Sequence, residues 1–350
     1  MRASDVSDRL NPAPRRSGRD PDGDTAPAPP RLERSSAWLR ALAFAAVYVI
    51  WGSTYLGIRV AVRTLPPFSM AACRFLLAGG ALYGLLRGRG VRAPRTDEWR
   101  RAALAGALML MIGNGLVTWA EQRVASNQAA LMIAAVPLFT ALLDWWRPGG
   151  ARPRPGVLLG IALGAAGMVL LVSGRARGIA GAPAPDRGLP GVAALLLSGL
   201  GWAAGSLYSR YGSMHPHPVM AAAQQMIAGG VGLGLLALLG GEPSRVTVAA
   251  LTLPSVGAFV YLTLFGSLLA FSAYGWLIKV STPARLSTTA YVNPVVAVVL
   301  GWLVLGETLA ARALMGAALI VCAVLVMTVR PPRSWRRPEP LATAVGSDRR

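Results

Sequence analysis

Long runs in which nearly every position is apolar recur along this chain, separated by short polar and basic interruptions. A helix needs about 20 apolar residues to cross the hydrocarbon core of a bilayer, whereas a barrel strand needs about ten alternating ones, so runs of this length predict membrane-spanning helices. Ten are long enough: 38–58, 67–87, 101–120, 126–146, 156–174, 190–209, 217–240, 254–277, 283–305 and 310–329. In lipid a helix satisfies its backbone from within one segment, and the expected fold is an all-α integral membrane protein.

The runs also repeat one another. "MAACRFLLAGG" at 70–80 returns as "MAAAQQMIAGG" at 220–230, which sets Met70 against Met220 and Arg74 against Gln224 at a separation of 150. Trp51 before "GSTYLGIR" matches Trp202 before "AAGSLYSR", Gly113-Asn114 matches Gly266-Ser267, and Pro137 matches Pro294, at separations of 151, 153 and 157. Separations that grow slowly in chain order describe one duplicated five-helix unit with small insertions. Five is odd, so the second copy enters the membrane from the opposite side. Two inverted five-helix repeats can exchange roles around a shared site, an architecture that many secondary transporters use. The expected organisation is a first repeat over 38–174, an extracytoplasmic linker over 175–189 and a second repeat over 190–329. Residues 1–37 and 330–350 read as disordered basic tails, and the first of them lacks the apolar core of a signal peptide.

Composition narrows the solvent and the partners. Of 350 residues 54% are apolar and only 14% charged, more apolar surface than one soluble domain buries. The net charge of +20 lies between and beyond the apolar runs rather than in an aromatic-interleaved patch, so the bilayer, not nucleic acid, is the expected partner. Arg87, Arg89, Arg92, Arg95, Arg100 and Arg101 crowd one connection, while Arg59, Arg63, Arg123 and Arg245 are scattered on the other side. With the basic tails, this bias predicts both termini in the cytoplasm and the cytoplasmic membrane as the location. Cys73 and Cys322 read as packing residues, His215 and His217 in "HPHP" as exposed, and neither pair has the spacing of a metal site.

The polar and aromatic residues inside the runs share helical faces. Tyr48, Trp51 and Tyr55 do so in the first run, Asn114, Thr118 and Glu121 in the third, and Ser198, Trp202 and Ser206 in the sixth. Ser267, Phe271 and Tyr274 align in the eighth, and Ser287, Tyr291 and Pro294 in the ninth. Such stripes serve helix packing as readily as a cavity, but stripes matched by the repeat favour a substrate cavity, which Gln224 and Asn293 would join. Pro137 and Pro294 each remove a backbone hydrogen bond inside a run and free the carbonyl one turn earlier, predicting kinks at a gate or at the site.

Arg74 lies seven residues into a helix entered at Pro66-Pro67, roughly 10 Å deep at 1.5 Å per residue. A charge there snorkels to the interface, pairs with Glu121, or anchors an anionic group such as a substrate carboxylate. Glu121 is the proton-coupling candidate; Asp144 beside Arg147 reads as an interfacial ion pair, and Glu307 as a cap on the last helix. Gly156, Gly160 and Gly164 share a face that allows close helix packing, within the chain or against a second subunit, so monomer and homodimer both stay open.

Four stretches, "WGSTYLGIR", "CRFLLAGG", "AAVPLFTALL" and "AYVNPVVAVVLGWLVLGET", resemble the EamA-type ten-helix exporters of the drug/metabolite transporter superfamily, over roughly residues 38–329. The resemblance implies a cavity lined by helices one to four and six to nine, with five and ten peripheral, and alternating access without a cofactor. The expected function is secondary active transport, as an exporter of small metabolites, amino acids or drug-like compounds. An importer of the same fold is the alternative. A membrane enzyme would show clustered Asp, Glu or His at a membrane surface, and the sequence has no such cluster; a non-transporting scaffold would tolerate filling the stripes.

Overall fold

The computed structural model describes residues 37–147, 155–173, 188–281, 286, 289–306 and 311–328. Both expected tails except Ala37, nearly all of the 175–189 linker, Ser287 and Glu307 lie outside these residues. Among the described residues every regular element is a helix. In chain order they are α1 (Ala37–Ala61), α2 (Pro67–Gly88), α3 (Thr96–Ala120), and α4 in two pieces (Ser126–Ile133 and Val136–Trp146). There follow α5 (Pro155–Ser173), α6 (Gly188–Tyr211), α7 (Pro218–Leu239), α8 (Leu253–Val280), α9 (Thr289–Leu305) and α10 (Ala311–Thr328). Among the described residues seven helices are long and apolar enough to cross a membrane, and α5, α9 and α10 hold the shorter apolar stretches Leu158–Gly167, Val292–Leu305 and Leu314–Ala323. Large apolar side chains such as Val49, Leu77, Leu104, Leu235 and Val299 stay exposed on the outer faces, a surface that water would penalise and lipid would cover.

The ends of α2 and α7 are built alike. Pro66 and His217 are both extended, with ψ of 137° and 111°, and each is followed by a proline in the first helical turn, whose fixed φ and missing N–H suit that position. At the other end Gly90 and Gly241 turn left-handed, at φ +80° and +62°. The Val91 N–H then returns to Leu86 O at 3.0 Å, and the Glu242 N–H to Ala237 O at 2.9 Å. These closures satisfy carbonyls that a helix end would leave bare. Each matching pair is 151 residues apart, Trp51 and Trp202 included. In that register the counterpart of Arg74 is Gln225, one position beyond the residue that the shared "MAA…AGG" frame assigns.

Small residues let the helices meet closely, as packing in lipid demands. A Cβ on Gly79 of α2 would sit 2.9 Å from Met226 Cβ of α7, and one on Gly230 of α7 would sit 2.9 Å from Leu76 Cγ of α2. The glycine face of α5 packs within the chain: Gly164 meets Leu138 of α4, and a Cβ on Gly167 would sit 2.7 Å from Gly316 O of α10.

Three local expectations change. α4 breaks after Ile133 and restarts at Val136, so Pro137 falls in a first helical turn instead of kinking a continuous helix, while Pro294 does lie inside α9. Cys73 and Cys322 are exposed on outer helical faces and are not packing residues. His215 is 3% exposed, contrary to the open loop that "HPHP" implies, because the α6–α7 connection folds back and its Nδ1 accepts the His217 N–H at 3.0 Å.

Candidate functional site

Periodicity put Trp51, Trp202, and the pair Phe271 and Tyr274 on three separate stripes, and the fold brings them into one cluster. Trp51 of α1 meets Trp202 of α6 edge to face at 5.3 Å between ring centroids, and both meet Tyr274 of α8, at 4.7 and 5.9 Å. Phe271 of α8 completes the cluster, 6.4 Å from Trp202. These spacings are those of attractive aromatic pairs. Ser206 of α6 lies beside Tyr274.

The cluster sits where two helices leave regular geometry. Ala107–Asn114 of α3 and Leu262–Phe271 of α8 are π-helical. In a π-helix each N–H reaches five residues back, which widens the coil and lets carbonyls accept bonds from outside. Trp51 Nε1 donates to Gly266 O at 3.2 Å, and Ser198 Oγ donates to Gly113 O. Gly113 and Gly266 are repeat counterparts, and so are α1 and α6. Each bond therefore runs from the first helix of one half into the π-helical segment of the other.

Arg74 lies at the same level of α8. Its side chain is 2% exposed, its Nε donates to Ser267 Oγ at 2.6 Å, and its guanidinium carbon is 4.8 Å from the centre of the Phe75 ring. Gly266 makes room for it, since a Cβ there would come within 3.1 Å of Nη2. Its Nη1 has no partner among the described residues. Of the three fates open to a charge at this depth, snorkelling is excluded by burial, and the partner found is Ser267, not Glu121. Glu121 is wholly buried at the end of α3, near Tyr55 of α1, and its backbone carbonyl accepts Arg59 Nη1.

The remaining candidates divide. Thr118 Oγ1 donates to Asn114 O at 2.9 Å, so this pair is bonded within α3. The Tyr48 ring meets Phe44 of its own helix at 5.7 Å between centroids, tilted by 37°. Gln225 donates to Ser209 Oγ at 3.3 Å, whereas Gln224 is fully buried with both side-chain polar atoms unpartnered among the described residues. Asn293 Oδ1 is buried and unpartnered in the same sense, and the Tyr291 side chain lies outside the described residues. A buried polar atom without a partner is costly, so these groups mark places where water or a polar solute would be held.

Sequence reasoning passed over two buried carboxylates. Glu242, just beyond the exit of α7, accepts the N–H groups of Phe68 at 3.2 Å and Ser69 at 2.6 Å, closing the positive N-terminus of α2. Glu98 accepts the Arg95 N–H at 2.8 Å and pairs with Arg92, whose guanidinium is thereby held more firmly charged. An acid directly after the Gly-Gly exit of α7 was the available signal for Glu242.

An apolar helical bundle with a buried cation, and with buried amides unpartnered among the described residues, defines a class: a polytopic membrane protein that accommodates polar groups inside. The chain belongs to the EamA-like transporter family, which matches residues 38–173 and again 189–329. Among curated relatives it is 42% identical over 288 residues to the uncharacterized inner membrane transporter YedA of Escherichia coli K12, covering 81% of this chain and 89% of that one. It is 28% identical over 293 residues to a protein of Streptantibioticus cattleyicolor named a "probable terminal-alkyne amino-acid exporter", covering 81% and 91%. A crystal structure at 23% identity superposes with a TM-score of 0.59 over 84% of this chain and 98% of the other, a likeness of fold. The protein is a membrane transporter by family, consistent with the drug/metabolite transporter superfamily.

Proposed function

We propose that the protein is a secondary active exporter of small carboxylate-bearing solutes, amino acids and related metabolites, or drug-like acids, across the cytoplasmic membrane. The observation that carries this reading is Arg74, buried on Ser267 with an unused Nη1, beside the Trp51–Trp202–Tyr274 cluster. A guanidinium offers a fork of donors that matches a carboxylate, and the aromatic rings offer a face for the rest of the solute. Two halves, 38–174 and 190–329, rock about this centre, with α5, α9 and α10 completing ten crossings and both termini cytoplasmic. Glu121, buried beside Tyr55 and Arg59, carries the coupling proton.

The test is flux of a labelled panel of amino acids and other metabolites in proteoliposomes, with and without an imposed pH gradient. Gradient-stimulated flux of a carboxylate-bearing compound that vanishes in Glu121→Gln supports the reading. Flux that is indifferent to the gradient removes the coupling role of Glu121, and no flux of any compound by folded protein removes the exporter itself.

A further inference from the structure

A polar cavity lies at one end of the bundle, apart from the Arg74 centre. It is about 380 Å³, open to the outside, and lined by the α1–α2 connection, the end of α3 and the exit of α7. Its lining includes Arg63, Arg123 and Arg245 together with Trp119, Gln122 and Glu242. The volume falls at the lower end of the roughly 300–1,000 Å³ of small-molecule pockets. This end is opposite the basic α2–α3 connection, so it is the side on which the sequence places few cations, and three of those few converge here.

Their fixation is specific. Arg123 donates Nη1 to Trp119 O at 3.3 Å and holds its guanidinium 3.8 Å from the Trp119 ring centre, and Arg245 donates Nη2 to Gly240 O at 3.1 Å. A guanidinium has five N–H donors, so both keep most of theirs. Among the described residues none of the three arginines forms an ion pair. The one acid in the cavity, Glu242, is already committed to the Phe68 and Ser69 N–H groups. Three positive charges thus face one negative charge that is otherwise engaged. Glu242 also shows that this cavity seats a carboxylate against backbone donors.

We infer that this cavity is an anion-binding vestibule, a site separate from the transport centre that takes the carboxylate or phosphate group of an amphipathic molecule. The guanidinium forks of Arg123 and Arg245 hold the oxyanion, Arg63 adds charge, and Trp119 with the prolines Pro66 and Pro67 receives the apolar part. The same chemistry is offered by a dissolved carboxylate and by a lipid headgroup.

The experiment is calorimetric titration of the full-length protein, in nanodiscs of purely zwitterionic lipid, with octanoate and with inorganic phosphate. A second arm measures retention of phosphatidylglycerol by native mass spectrometry. Saturable binding that weakens at least tenfold in Arg123→Gln/Arg245→Gln, and is unchanged in Arg101→Gln at the opposite end of the bundle, supports a vestibule fed from solution. Phosphatidylglycerol retained through the same two arginines, without binding of the dissolved anions, supports it with lipid as the source. Arg123→Lys/Arg245→Lys keeps charge while losing the fork, and intermediate binding is expected, with thermal melting of each variant reporting its fold. Binding in neither arm, or binding lost in Arg74→Gln and kept in the double variant, overturns the vestibule while leaving the Arg74 reading to its own flux test.

Discussion

Arg74 of α2 is held by a hydrogen bond from its Nε to Ser267 Oγ, and its Nη1 is unpartnered among the described residues. Its depth was legible from its distance past Pro66-Pro67, and its charge had to be satisfied somehow. Its partner was not legible, because Ser267 lies 193 residues away and faces it only once α2 and α8 are in register. Arg74→Lys puts a compact ammonium where a planar fork is needed and Arg74→Gln removes the charge, so both are expected to cut solute flux at least tenfold in proteoliposomes. Glu242 was missed because a single acid in a loop looks solvated until the helix it caps is placed beside it. Glu242→Gln keeps the shape and loses the charge, and a loss of about 0.5–2 kcal/mol is expected, read as a lower melting temperature in detergent. His215, in the connection after α6, has its imidazole pushed below the usual range by burial, against a smaller opposing pull from Glu98. The fold therefore favours neutral His215, and its contribution to stability is complete above about pH 6.5 and lost as pH falls below. The melting temperature of the wild type is expected to drop more steeply between pH 7 and 5 than that of His215→Gln.

Among the elements, helices with strong apolar runs and proline or glycine punctuation were legible to within a few residues. α2 and α7 start at Pro67 and Pro218, and each ends two positions before a left-handed glycine. The π-helical segments of α3 and α8 left no trace in the sequence, since an apolar run looks the same whether its bonds close four or five residues apart. The break in α4 was misplaced for a related reason: Pro137 marks the position at which a helix begins again, and the residues that end the previous piece are plain alanines. Close packing of α5 on α10 depends on Gly167, whose neighbour across the interface is backbone and has no freedom to move aside. Gly167→Val is expected to force the two helices apart, seen as a lower melting temperature and a reduced monodisperse fraction on size-exclusion chromatography. Gly80→Ala, at a position open on all sides, is expected to change neither.

At the scale of the whole molecule the repeat was the most informative signal, because a duplicated frame constrains all helices at once. It led to the matched aromatic stripes and to the centre at which α1 and α6 cross α8. What the frame misjudged was register: identity of letters favoured a separation of 150, while caps, crossing glycines and tryptophans agree on 151. The two repeat-matched cross-half hydrogen bonds, Trp51 to Gly266 and Ser198 to Gly113, are contacts that rocking of one half against the other would strain in turn. The most direct test of that account is pulsed electron–electron distance measurement on spin-label pairs at the two ends of the bundle. A background of Cys73→Ser and Cys322→Ser would be used, because both native thiols are exposed. One pair joins Thr64 to Arg245, the other Arg89 to Ser213, and both are read with and without the solute that gives the greatest flux. Alternating access predicts distance distributions that shift in opposite senses at the two ends; distributions that stay fixed, or that widen and narrow together, would contradict it.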